Sequence, residues 1–545
     1  MKKILLLPLV VFVLNVFAQE RPKLVVGIVV DQMRQEYLYR FEKKFGQGGF
    51  KRLMGEGFML SNAHYNYVPT YTGPGHASVY TGATPAVHGI IGNDWWDKQT
   101  RTRVNCVLDN SQTPVGGLEG SGKVSPHRML STTITDELKL FTQGRGKVIG
   151  VSIKDRGAVL PAGHMADGAF WFESKSGNFI SSSFYSYPNN VLPTWVQSFN
   201  ALKIPDKLSA QPWEKYLKSD AYAESGADAS PYEGQIANQK NTFPYDLKQN
   251  TKSGYETVVH TPFGDDLLTE FAKAALKGAE LGKDADTDFL AISFSTPDLI
   301  GHAMGPQSVE VEDTYIRLDK NIEDLLNTLD AEVGKNNYSL FLTADHAVVD
   351  VPQFLKDKKV PAGYADSDSK LKKELNNLLQ KNFPGKNIID TVGNNQIFFN
   401  PESFSADART SGIEFLIATE LVINYLQQKE GIAQVYSKSI LKQGDFLEGG
   451  AKGMMIRGYH HKRSGDISFT LEPGWINGWS KTGTTHGSNY TYDTHVPILF
   501  FGSGVKKGTS SQYHTITDIA PTMSVLLKIK FPSGCTGQPV SELLD

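Results

Sequence analysis

The sequence predicts an α/β fold: a central, mostly parallel sheet flanked by helices, within one elaborated domain. Three observations lead there. Short apolar runs without polar alternation recur along the chain, as strands buried on both faces of a helix-covered parallel sheet require. Stretches of helical periodicity alternate with them. Each run also stops at a polar residue, and in open α/β sheets ligands gather beyond the carboxyl ends of the strands.

The runs follow in order. Lys23 to Val30 (KLVVGIVV) stops at Asp31, and Val148 to Ile153 (VIGVSI) stops at Lys154. Asp288 to Phe294 (DFLAISF) leads into Ser295-Thr-Pro-Asp298. Beyond it Tyr315, Leu318, Ile322, Leu325, Leu326 and Leu329 recur at helical spacing, which predicts a helix packed on the sheet. Tyr338 to Thr343 (YSLFLT) leads into Ala344-Asp345-His346, and Val496 to Phe501 (VPILFF) is the last run.

Two regions break this rhythm and read as insertions. Residues from about 160 to 260 are rich in Ser, Asn, Pro and aromatics with weak periodicity. Residues from about 352 to 480 hold a charged helical stretch (Asp366 to Lys381), a second near Ile413 to Gln428, and strand-like Asp466 to Leu471. Neither an internal repeat nor a low-complexity linker interrupts the rest, so residues 19–545 are expected to form a single domain.

The first residues, MKKILLLPLVVFVLNVFAQE, have the pattern of an export leader. Lys2 and Lys3 precede an apolar run, and Val16 and Ala18 occupy the positions a signal peptidase reads. The run is short for a membrane span and is broken by Pro8 and Asn15. A signal peptide over residues 1–18, a periplasmic or secreted mature protein and no stable membrane anchor after cleavage are the expectations. At 545 residues, 40% hydrophobic and 21% charged, the composition is ordinary for a globular protein. A net charge of −3 argues against nucleic acid as the main partner. The oligomeric state is left open, with a monomer favoured. Two cysteines, Cys106 and Cys535, leave disulfide formation open and argue against a thiolate-rich metal site.

The candidate chemistry is carried by aspartates, histidines and hydroxyls. Asp298 and His302 stand four apart and share one helical face, where they can grip one ion. Asp345-His346 follows a strand directly, Asp31 ends another, and His486 sits in a loop before the Val496 run. Singly, each is as well explained as a turn, cap or surface residue. Together, three Asp and three His on one sheet edge suit two zinc ions with open positions, and manganese accepts the same donors. Thr72 precedes Gly73-Pro-Gly-His, where proline suits the first turn of a helix. Its hydroxyl would sit at the positive helix end beside N–H groups able to cradle a phosphoryl oxygen. A plain N-cap is the commoner role for such a threonine, and Thr70, Ser78 and Thr81 compete with it.

The segments VVDQMR, TYTGPGHASVYTG, IGNDWW, SIKDRGAVLPAGH, STPDLIGHAMGP, TADHAVVD, THGSNYTYDTHVPILFFG and DIAPTMSVLL span nearly the whole mature chain. As an ordered set they resemble the alkaline phosphatase superfamily, and most of all its PafA-type bacterial branch, which uses a threonine nucleophile. The resemblance implies an alkaline-phosphatase-like core with the insertions forming a cap over the active site. It implies that Thr72 is the nucleophile and becomes a transient phosphothreonine. It places one zinc ion on Asp31, Asp345 and His346, with the Thr72 oxygen as a further ligand, and a second on Asp298, His302 and His486. Asn93 would bind a phosphoryl oxygen, and Lys154 and Arg156 match the Lys-x-Arg pair that favours the more anionic monoester. The function implied is a zinc-dependent alkaline phosphatase acting on small-molecule phosphate monoesters. A phosphodiesterase or nucleotide pyrophosphatase of the same superfamily is the alternative. The absence of a Cys/Ser-x-Pro-x-Arg motif counts against a sulfatase.

Overall fold

In the computed structural model, which describes residues 21–236, 240–248, 254–478 and 480–544, all five apolar runs become strands of one eleven-stranded sheet. Its longer strands are β1 (Leu24–Val30), β2 (Phe58–His64), β3 (Val148–Ser152), β4 (Gly168–Glu173), β5 (Asn178–Ser182), β6 (Asp288–Phe294), β7 (Tyr338–Thr343) and β8 (His495–Gly502). Across the sheet they run β2-β8-β7-β1-β6-β3-β4-β5. Short segments complete it: Gly508–Ser510 and His514–Thr515 beside β2, and Pro114–Val115 beside β5. The expected leader, residues 1–18, lies outside the described residues. Among the described residues no helix is long and apolar enough to cross a membrane.

The five-strand centre from β7 to β4 is parallel throughout. Every residue of β1, β6 and β7 is buried, which is why these strands read as apolar runs without polar alternation. Register sets the working edge. Val30 pairs with Phe294, Val29 with Thr343 and Ser293 with Ser152. The residues that follow, Asp31, Ser295, Ala344 and Ile153, therefore emerge side by side.

Two expectations need correcting. The Val496 run forms β8, which is antiparallel to both β7 and β2. Burial on both faces produces an apolar run whichever way the strand points, so composition carried no direction. Residues 168–182, expected inside the first insertion, supply β4 and β5 to the main sheet.

Helices cover the sheet. Helix α1 (Thr72–Thr81) is buried along its whole length and seats Tyr80 on β1 at Gly27. A Cβ at Gly27 would lie 2.5 Å from the Tyr80 hydroxyl and 2.6 Å from the Phe341 ring, so only glycine admits the helix this close. Helix α2 (Asp155–Ala162) follows β3, and α3 (Thr296–Met304) follows β6. The expected apolar stripe lies on α4 (Val309–Glu332), where all six of its residues are buried. The 352–480 region builds a separate four-stranded sheet from Ile389–Gly393, Gln396–Phe399, Ile467–Leu471 and Ile432–Ser437. Helices Asp368–Leu379 and Ala408–Gln427 pack on it around their own apolar cluster, including Leu375, Ile397, Val422 and Ile467.

Candidate active site

The parallel strands deliver their polar residues to one edge. Asp31 follows β1, Lys154 follows β3, Asp298 and His302 ride on α3 after β6, and Asp345 and His346 follow β7. His486 comes from the loop before β8. Thr72, the first residue of α1, is wedged among them because two glycines let the helix start approach backbone. A Cβ at Gly75 would collide with the Asp345 backbone, and one at Gly73 would lie 3.1–3.2 Å from Cys106 Sγ, Gly92 O and Asn93 Oδ1.

The side chains converge. The ligand-capable atoms of Asp31, Asp345 and His346 lie within 4.8 Å of one another, as do those of Asp298, His346 and His486. His302 joins the second group through Asp298, with its Nε2 3.0 Å from Asp298 Oδ1. The His346 and His486 rings stack with centroids 3.4 Å apart. His346 Nε2 lies 3.4 Å from Asp31 Oδ1 and 3.4 Å from Thr72 Oγ1, so the hydroxyl sits on the rim of the first group.

The donor set fits metal ions on three counts. His302 Nδ1 lies 2.8 Å from Thr484 O, His346 Nδ1 3.0 Å from Ala347 O, and His486 Nδ1 2.6 Å from Thr70 O. A carbonyl oxygen only accepts, so each Nδ1 carries a proton and each Nε2 is turned inward, that of His302 onto Asp298. Burial lowers the His302 pKa, but the Asp298 charge outweighs it and raises it overall. This is how metal-ligating histidines are oriented. Asp31 Oδ1 and Asp345 Oδ2 are buried without a hydrogen-bond partner among the described residues, a costly state that a cation would relieve. The oxygen and nitrogen donors, without thiolate, suit zinc or manganese.

The electrostatics match. Burial, aided by the nearby His346 and His302, drives His486 well below the ordinary histidine value and keeps it neutral. Burial and the neighbouring Asp31 push the Asp345 carboxyl well above the usual range. Burial acts the same way on Asp298, but His302 and Lys154 outweigh it and hold that carboxyl well below the usual range.

Lys154 Nζ lies 2.7 Å from Asp31 Oδ2 and 2.5 Å from Asp298 Oδ2, bridging carboxylates of both groups. Arg156 lies in the first turn of α2; its Nε has no hydrogen-bond partner among the described residues. The expected backbone cradle at the start of α1 is corrected. Gly73 N–H donates to Asn93 Oδ1 at 2.6 Å, Pro74 has no N–H, and Gly75 N–H donates to Tyr71 O at 2.8 Å. With Oδ1 so engaged, Asn93 has its Nδ2 donor left for a ligand. Tyr71 rather than Thr72 is the N-cap of α1.

Sequence reasoning gave Gln32 no role and took His76 as a structural or surface histidine. Gln32, at φ 67°, donates from Nε2 to Asp298 Oδ1 at 2.6 Å and from its backbone N–H to Asp345 Oδ1 at 3.1 Å, tying the two groups together. Its place directly after Asp31 was the available signal. Cys106 and Cys535 are free thiols.

Residues 25–493 match the model of the type I phosphodiesterase / nucleotide pyrophosphatase family. The chain belongs to this family. It is 43% identical to alkaline phosphatase PafA of Elizabethkingia meningoseptica, covering 97% of this chain and 95% of that protein. It is 44% identical to alkaline phosphatase PhoV of Synechococcus elongatus, covering 97% and 94%. A crystal structure of PafA superposes with a TM-score of 0.91 at 42% identity, covering 97% of this chain and all of that one. The family lies within the alkaline phosphatase superfamily, and the chain is PafA-like.

Proposed function

We propose that the chain is an exported, zinc-dependent phosphomonoesterase that passes the phosphoryl group of a small phosphate monoester to Thr72 and then to water, releasing inorganic phosphate. The observation that carries the reading is the Thr72 hydroxyl on the rim of the first of two Asp/His groups whose histidine Nε2 atoms all face inward, with Lys154 alongside. That the chain is a phosphoric monoester hydrolase follows from kinship with alkaline phosphatases over nearly the whole of both chains.

In this reading Asp31, Asp345 and His346 hold one zinc ion and Asp298, His302 and His486 the other. Zinc held there supplies Lewis acidity for the attacking and leaving oxygens. The chain's own residues position the reaction. Asn93, fixed by the Gly73 N–H, offers Nδ2 to a non-bridging phosphoryl oxygen. Lys154 and Arg156 supply cations for the charge that distinguishes a monoester from a diester. Thr72 Oγ forms the new P–O bond as the ester P–O bond breaks, and the alcohol departs with a proton. Water then releases phosphate from the phosphothreonine and restores the hydroxyl. The leader-like pattern of residues 1–18 supports export.

The second reading is a phosphodiesterase or nucleotide pyrophosphatase, favoured by the name of the matching family model. Comparing kcat/KM for an aryl phosphate and its methyl diester separates the two. The proposal expects the monoester to be preferred, and Lys154→Ala with Arg156→Ala to erode that preference. Clear preference for the diester would establish the second reading instead.

A further inference from the structure

Beneath the site lies a buried polar knot that has no part in the chemistry above. Ser152 ends β3, Ser293 lies in β6 and Ser295 follows it; all three are fully buried. The Ser152 hydroxyl donates to Ser293 O at 3.0 Å, lies 3.1 Å from Ser295 Oγ, and accepts from the Lys154 backbone N–H at 3.1 Å. On its other side, His76 Nδ1 lies 2.9 Å from Thr72 O and His76 Nε2 lies 2.8 Å from Ser293 Oγ. The carbonyl fixes a proton on Nδ1, which also lies 3.4 Å from Asp345 Oδ2. Helix α2 closes the knot: a Cβ at Gly157 would lie 2.5 Å from Ser152 Oγ and 2.8 Å from Ser293 Oγ.

Buried hydroxyls are costly unless bonded, and these are bonded to groups that lead directly to the site. One arm ends on the carbonyl of Thr72. A second ends on the N–H of Lys154, the extended residue that opens α2. A third reaches Ser295, three residues before Asp298.

We propose that Ser152 is the positioning residue for Lys154, and that the Ser152–Ser293–His76 knot sets the Lys154 ammonium relative to Thr72, and with it the preference for monoesters. The inference rests on the phosphomonoesterase reading above. Removing the Ser152 hydroxyl strands the Lys154 N–H and frees the backbone that aims the side chain. Misplacement of a positioning group by about 1 Å can cost up to about a hundredfold in rate. A diester, carrying less charge at the non-bridging oxygens, depends less on that ammonium.

The test is a double-mutant cycle: kcat/KM for an aryl phosphate and its methyl diester, measured on zinc-loaded wild type, Ser152→Ala, Lys154→Ala and the double variant. The expected result is a loss of about tenfold for the monoester in Ser152→Ala. The diester should stay within about twofold, and the double variant within about twofold of Lys154→Ala. Equal losses for both esters, or the same loss repeated on top of Lys154→Ala, would overturn the proposal. Ser152→Cys, of nearly the same shape but with a weaker acceptor, should fall between wild type and Ser152→Ala. Should the alanine variant not fold, the cysteine variant decides alone: an unchanged monoester-to-diester ratio overturns the proposal. Failure of the underlying reading looks different, because Lys154→Ala itself would then leave that ratio unchanged.

Discussion

Lys154 offers a test of where the metal ions sit that does not depend on activity. Its ammonium bridges Asp31 and Asp298 at 2.7 and 2.5 Å, with side-chain exposures of 12% for the lysine against 0% and 4% for the carboxylates. Lys154→Met keeps the length of the side chain and removes the charge. Without metal, two buried carboxylates then lose their shared counterion, and removing one partner of a buried pair costs about 3–5 kcal/mol. An exposed pair would cost about 0–1 kcal/mol. Zinc held by the same carboxylates supplies the missing charge, so the penalty should largely vanish in loaded enzyme. Closing the thermodynamic cycle, the variant must bind zinc more tightly than wild type, by about a hundredfold or more at tenfold per 1.4 kcal/mol. Urea unfolding in chelator and in zinc measures the first quantity; competition against a chromophoric chelator measures the second. Equal destabilisation in both conditions, with unchanged zinc affinity, would refute the overlap of the Lys154 and metal positions.

Three further outcomes follow. Thr72→Ala should keep its full metal content, measured by elemental analysis, and lose at least about a thousandfold in kcat; near-normal turnover would remove Thr72 from the mechanism. Gly75→Ala drives a methyl into the Asp345 backbone, which cannot step aside. It should cost about 1–3 kcal/mol in unfolding experiments and depress kcat for monoester and diester alike, and a silent variant would contradict the close approach of α1. His164 lies 2.9 Å from Asp136 Oδ2; burial lowers its pKa, but the Asp136 hydrogen bond and charge outweigh burial and raise it overall. A histidine pKa raised by folding stabilises fully below the unfolded value near 6.5 and less as pH climbs through the folded value. His164→Gln should therefore destabilise more at pH 5.5 than at pH 9, and a pH-independent penalty in thermal melts would refute the ion pair.

Much of the fold was legible because burial on both faces turns β1, β6 and β7 into apolar runs without polar alternation. Strand direction was not: β8 has the same composition and runs the other way. β2 escaped notice because Ser61, Asn62 and His64 are only half-buried and break the run. Helix α1 carries no apolar stripe, since a helix buried all round needs none, and Pro74 with its flanking glycines was the sole marker. At the site, Asp31, Asp298, His302, Asp345, His346 and His486 were legible from strand ends and spacing, together with the resemblance. What those residues touch was not. The Lys154 bridge, the Gly73 N–H spent on Asn93 and the His76 contact with Ser293 each join segments far apart in sequence, and only packing brings them together.

The most direct test of the central claim is to look for the phosphoryl group on the enzyme. Zinc-loaded protein mixed with an aryl phosphate is quenched in acid within the first turnover, and its peptides are mapped by fragmentation mass spectrometry. The account predicts one phosphoryl group on Thr72, absent from Thr72→Ala. Phosphate on another residue, or a burst of released alcohol with no phosphorylated residue, would contradict it.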